Sequence, residues 1–152
     1  MVARRFALIG AKTTCWSCRG VTDVTTIMVG ERLEMSPWDD DIDATYESRN
    51  EPAVLKSIVF LDVDAAEVVA SNAPRLRWSF STTAGERYLG NRCGQCDALQ
   101  GDWYLHKPEG PFFPLSQTAA KDLTIAWVER ELSAIATAVE STWLDWMLSR
   151  SE

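Results

Sequence analysis

Four cysteines carry the chemistry that this sequence declares, and they fall in two pairs, Cys15-Trp16-Ser17-Cys18 and Cys93-Gly94-Gln95-Cys96. Four thiols in two CxxC turns make a complete ligand count. Zinc in structural sites takes a closed tetrahedron of thiolates, and a CxxC turn lets two sulfurs reach one ion while the turn's own N–H groups point at them. The pairs stand 74 residues apart, far beyond the usual spacing. Loop closure grows only logarithmically with length, so a long insertion between two halves of one site is tolerable. We therefore expect Cys15, Cys18, Cys93 and Cys96 to hold one structural Zn²⁺. Iron in the same pocket, a reactive dithiol and unrelated buried thiols are the alternatives.

The flanking residues agree with hairpin tips. Arg5 to Thr14 is rich in strand formers, and Val21 to Val29 is dominated by β-branched residues. Gly20 and Gly94 are the residues expected to relax the two turns, Gly20 through a positive φ. A thioredoxin-type dithiol needs its first cysteine at a helix N-terminus, where the dipole lowers the thiol pKa. A strand is predicted after Cys18 instead. Four thiolates and one divalent cation would move the formal charge from −7 to −9, with Arg19 and Arg92 beside the ligands as partial offsets.

The segment from Tyr88 to His106, with its Asn91-Arg92-Cys93-Gly94-Gln95-Cys96 and Gln100-Gly101-Asp102, followed by Gly110-Pro111-Phe112-Phe113, resembles a motif of small uncharacterised bacterial proteins; Cys15-Trp16-Ser17-Cys18 is similar to its N-terminal half. The resemblance covers about a quarter of the chain. It implies a zinc ribbon split by an insertion, with the ligand role falling on the four cysteines, and it implies no activity.

These knuckles need elements to hold them. The expected fold is α+β: zinc-ribbon β-hairpins over 1–35 and 86–107, a small α/β insertion over 36–85, and a long C-terminal helix over 115–150, all in one domain. Within the insertion, Ser36 to Pro52 reads as an acidic loop. Asp39, Asp41 and Asp43 suggest calcium, but Ala44 stands where that loop needs glycine and Asn50 where it needs glutamate, so a solvated charge run is the better reading. Val54 to Leu61 is a mostly apolar run consistent with a buried strand. Asp64 to Ser71 reads as a short helix capped by Asp64, and Leu76, Trp78 and Phe80 alternate as a half-buried strand. Pro108 to Pro114 is a rigid connector. After it Ile125, Val128, Leu132, Ile135, Val139 and Trp146 recur at helical spacing, with no proline or glycine from Ser116 onward.

Composition narrows the function classes. The chain has 152 residues, 46% of them hydrophobic and 24% charged, enough for a real core. No apolar run approaches the length of a membrane span, and the short stretch Phe6 to Ala11 is no signal segment, so a cytoplasmic location is expected. A balance of 15 basic against 22 acidic residues opposes a sequence-independent grip on nucleic acid. The stretch that could still stack and contact phosphate carries Arg75, Arg77, Arg87 and Arg92 with Trp78, Phe80 and Tyr88. His106 is the single histidine, and no catalytic motif accompanies it, so a surface or capping role is expected.

The function expected is thus non-catalytic: zinc organises the fold, and the protein acts by contact with a basic partner protein, or with itself through the C-terminal helix; Trp143 and Trp146 near its end are expected as core residues, with a place in such an interface as the alternative. A nucleic-acid-binding ribbon and, further off, a dithiol redox enzyme are the alternatives. Zinc binding in small sites is worth ~10–16 kcal/mol, comparable with a domain's whole stability, so removing it is expected to unfold the chain.

Overall fold

Alternation along two long strands builds the molecule. In the computed structural model, which describes residues 1–35 and 45–149, β1 (Val2–Ala3) leads into β2 (Phe6–Thr14) and β3 (Val21–Val29). Phe6 and Leu8 of β2 face one core with Ile27 and Val29 of β3, while Ala7 and Ile9 face another with Val24 and Met28. Both faces are buried. This is why these strands read as continuous apolar runs at their inner ends.

Next come β4 (Arg32–Met35), β5 (Tyr46–Arg49), β6 (Ala53–Leu61) and α1 (Val63–Asn72). The second half holds β7 (Leu76–Ser81), β8 (Glu86–Arg92), β9 (Leu99–Gln100), α2 (Asp102–His106), α3 (Gln117–Lys121), β10 (Thr124–Val128), β11 (Leu132–Glu140) and α4 (Thr142–Leu148). Eight strands form one antiparallel sheet in the order β10-β2-β3-β6-β11-β1-β4-β5, and β7-β8-β9 form a second. Only Arg4 and Arg5 separate β1 from β2, yet the two lie at distant places in that order. The sheet has to curl to bring them together.

The expected α+β layout with a long C-terminal helix is therefore wrong. Residues 115–150 hold two short helices around two strands, and α4 is the last of them. The apolar spacing that suggested one helix also fits strands. Ala134 is buried, and Ala136 and Ala138 pack against the same core, alternating with Ile135, Thr137 and Val139. Alanines that count as helix formers in isolation are here the small inward side of a strand paired to β6, Ala134 opposite Leu61 and Ala138 opposite Leu55. The segment expected as the insertion contributes β6 to the large sheet, between β3 and β11.

Smaller corrections follow the same logic. Helix α1 is capped by Asp62, not Asp64: its Oδ1 accepts the Ala65 N–H at 2.9 Å while Oδ2 accepts the Ser133 N–H at 2.6 Å, tying helix to sheet. His106 ends a short helix and not a strand. The acidic run at Asp39, Asp41 and Asp43 lies outside the described residues. Trp143, Leu144 and Met147 of α4 are buried in the second core, with Trp146 packed against it, in agreement with the core reading of these tryptophans and not with the interface alternative. No helix among the described residues is long and apolar enough to cross a membrane.

Candidate metal centre

Each CxxC pair occupies the turn between two antiparallel strands, the first joining β2 to β3 and the second joining β8 to β9. The turns are built alike. Cys15 N–H donates to the Gly20 carbonyl at 2.8 Å and Arg19 N–H to the Cys15 carbonyl at 3.0 Å; Cys93 N–H donates to Ala98 at 3.0 Å and Asp97 N–H to Cys93 at 3.1 Å. In both, the residue after the second cysteine is left-handed, Arg19 and Asp97 each at φ 63°. The expected positive φ at Gly20 is therefore carried by its neighbour Arg19. A Cβ at Gly20 would stand 2.4 Å from the Gln95 side-chain oxygen and would push that side chain aside. Gly94 is neither left-handed nor crowded.

The two turns meet. Cys15 Sγ lies 3.6 Å from Cys96 Sγ, and Cys18 Sγ lies 3.8 Å from Cys93 Sγ. All four sulfurs fall within 4.8 Å of one another. A tetrahedron of thiolates with Zn–S bonds of ~2.3 Å has sulfur separations of ~3.8 Å, so the set is the size of a four-coordinate site. None of the four is in a disulfide; Cys15 and Cys93 are buried, Cys18 and Cys96 exposed.

Donors converge on the buried sulfurs. Ser17 N–H reaches Cys15 Sγ and Gln95 N–H reaches Cys93 Sγ, both at 3.4 Å, and the buried Gln100 amide adds a third donor to Cys15 at 3.3 Å. Burial pushes the Cys15 thiol up, but the amides of Cys18 and Ser17, with Cys96 and Gln100, outweigh it and bring the pKa from 9.0 down to about 6. Cys93 is likewise lowered, chiefly by the amides of Cys96 and Gln95. Cys18 moves the other way, to about 11: the Gly20 amide lowers it, and burial together with the other three thiols raises it more. Two of the thiols, Cys15 and Cys93, are thus lowered and Cys18 is raised; it is the spacing of the sulfurs that is compatible with a metal ion.

Arginines brace the second turn, and polar side chains lock it to the first. Arg75 donates to the Gly94 carbonyl at 3.2 Å, Arg92 to the Asp97 carbonyl at 3.0 Å, and Arg77 pairs with the Asp97 carboxylate. Gly94 N–H donates to Thr22 Oγ1 at 2.9 Å, the Gln95 amide to the Val21 carbonyl at 2.9 Å, and Trp16 Nε1 to the Leu99 carbonyl at 2.8 Å. Sequence reasoning expected the four cysteines to come together, as they do; it missed Gln100, Asn91 and Thr22. Their one signal is polarity beside or within strands whose neighbours are apolar, since all three are buried. His106 stays apart from the cysteine cluster. Its ring lies against Phe112, centroids 5.3 Å apart, and its Nδ1 is buried with no hydrogen-bond partner.

Comparison with family models, with curated proteins and with solved structures found nothing that matches this chain.

Proposed function

We propose that Cys15, Cys18, Cys93 and Cys96 hold one structural Zn²⁺ in a split ribbon, and that the protein is a non-catalytic scaffold acting by contact with another protein. The observation that carries this is the approach of four sulfurs from two remote turns to within 4.8 Å. Thiolate-only coordination fills zinc's sphere and leaves no position for a reacting water, which favours a structural role. Both pairs sit in β-turns, without the helix N-terminus that activates a redox dithiol. Nucleic-acid binding is the weaker reading, because Arg77 and Arg92 are turned toward Asp97 and Ser79, and Arg87 lies over the Trp78 ring at 5.4 Å.

Elemental analysis of the purified protein, with cobalt(II) substitution read by its thiolate absorption, tests the reading. One metal per chain and a tetrahedral four-thiolate cobalt spectrum are expected, both lost in Cys93→Ser. A chain that binds no metal, or whose spectrum survives that change, refutes it.

A further inference from the structure

The second candidate site begins where β10 stops. Strand β3 pairs with β2 along its whole length, Phe6 opposite Val29 to Thr14 opposite Val21, but β10 covers β2 only from Phe6 to Gly10. Beyond Gly10 the β10 side of β2 has no strand partner among the described residues. Backbone groups in an antiparallel strand point alternately to its two neighbours. Cys15 N–H donates to Gly20, so Cys15, Thr13 and Ala11 turn toward β3, and Lys12 and Thr14 turn toward the vacant side. Thr25 fixes the same parity, since it lies opposite Gly10 and directs its N–H and carbonyl away from β2 to Asn91.

That edge opens on a cleft of about 820 Å³ between the β2–β3 hairpin and the 109–123 segment. Val24 and Leu123 give it an apolar floor, and the exposed Leu115 a wall. Its charge is lopsided. Lys12 is neutralised by Asp23 at 2.7 Å, whereas Glu109 and Asp122 have no ion-pair partner among the described residues. An exposed row of unpaired backbone groups is a template for strand addition, in which main-chain hydrogen bonds supply affinity and alternate side chains supply specificity.

We propose that this cleft receives an extended segment of a basic partner protein, added as a strand antiparallel to β2, in line with β10 and ending beside the metal centre. Apolar side chains of the segment meet Leu115 and Leu123, and its basic side chains meet Glu109 and Asp122. The proposal names the partner chemistry for the scaffold reading above and rests on it.

The test uses the metal-loaded full chain and a pool of capped octapeptides alternating valine with lysine or arginine, with a valine and glutamate pool as the contrast. The basic pool is expected to bind saturably and to slow hydrogen exchange at the Lys12 and Thr14 amides. Lys12→Pro, made together with Asp23→Asn so that no acid is freed, removes one outward N–H, which an edge position tolerates, and should weaken binding about tenfold with the cobalt spectrum unchanged. Asp122→Lys should weaken it by a similar factor. No binding from the basic pool, equal binding of the acidic pool, or undiminished binding by the double variant with Lys12→Pro overturns the strand site. A chain that keeps its cobalt spectrum but binds no peptide loses this proposal alone; one that never gives the spectrum loses the metal reading.

Discussion

The side-chain amide of Asn91 makes the two hydrogen bonds to Thr25 that a neighbouring strand would make: Oδ1 accepts the Thr25 N–H at 2.7 Å and Nδ2 donates to the Thr25 carbonyl at 2.9 Å. β6 pairs with β3 only from Ile27 to Val29, so without Asn91 these groups would be left without a partner. One buried side chain thus fastens the three-stranded sheet, and the second cysteine turn with it, to the large one. Asn91→Ala should cost about 1–3 kcal/mol in a urea titration, the penalty for stranding buried backbone groups. It should also weaken metal binding, read by competition with a chromophoric chelator.

Gln100 offers a cleaner probe of the metal centre itself. Gln100→Leu keeps the bulk and removes the N–H aimed at Cys15 Sγ, so metal affinity should fall about 10- to 100-fold, the usual effect of losing an outer-shell partner. Unchanged affinity in the same competition assay would show that the Ser17 and Cys18 amides suffice.

Metal removal should be local. Both hydrophobic cores are built from strands and helices that do not include the cysteine turns, apart from Leu76 and Leu89 of the small sheet. Hydrogen exchange after chelation should therefore accelerate at Cys15, Arg19, Cys93 and Asp97 while Leu8, Met28 and Leu55 stay protected. Global unfolding, the outcome expected from the sequence, would show that the ion supports the cores as well.

Two groups on α2 oppose each other in pH. Burial raises Asp102 from 3.8 to about 6, against the Ser57 N–H and the charge of Lys56; burial and the same lysine lower His106 from 6.5 to about 4. The folded state holds the Asp102 proton longer than the unfolded chain, so this group's cost grows as pH rises from about 4 to 6. His106 gives up its proton earlier, so its cost grows as pH falls from 6.5 to about 4. The slopes offset one another. Thermal melts of Asp102→Asn should therefore lose stability on acidification more steeply than the parent chain, and His106→Phe less steeply.

Trp143 is 1% exposed, at the centre of the second core. Trp143→Ala should cost about 3–5 kcal/mol in chemical denaturation. A loss under 1 kcal/mol would restore the view of this tryptophan as a contact residue.

The site was far more legible than the fold. The two cysteine pairs are read directly from the sequence, and the strands flanking the first pair are visible in runs such as the β-branched Val21 to Val29. Ile125 to Val139 was not legible because its apolar spacing satisfies a helix and its alternation satisfies a strand. The choice is made by β2 and β6, whose edges these residues fill, and sequence distance hides that pairing. Asn91 and Gln100 were missed for the same reason: a buried polar residue shows its purpose only when its partner, more than sixty residues away in each case, is beside it.

The split between the two cysteine turns also imposes a timetable. A growing chain presents Cys15 and Cys18 first and must add the 74 intervening residues before the other half of the site exists, which at ribosomal speed takes roughly 4–15 s. During that interval an ion could be gripped by two sulfurs alone. Four-sulfur capture of the proposed ion would wait for Cys96 to emerge, leaving the first pair open to competing thiol chemistry until then.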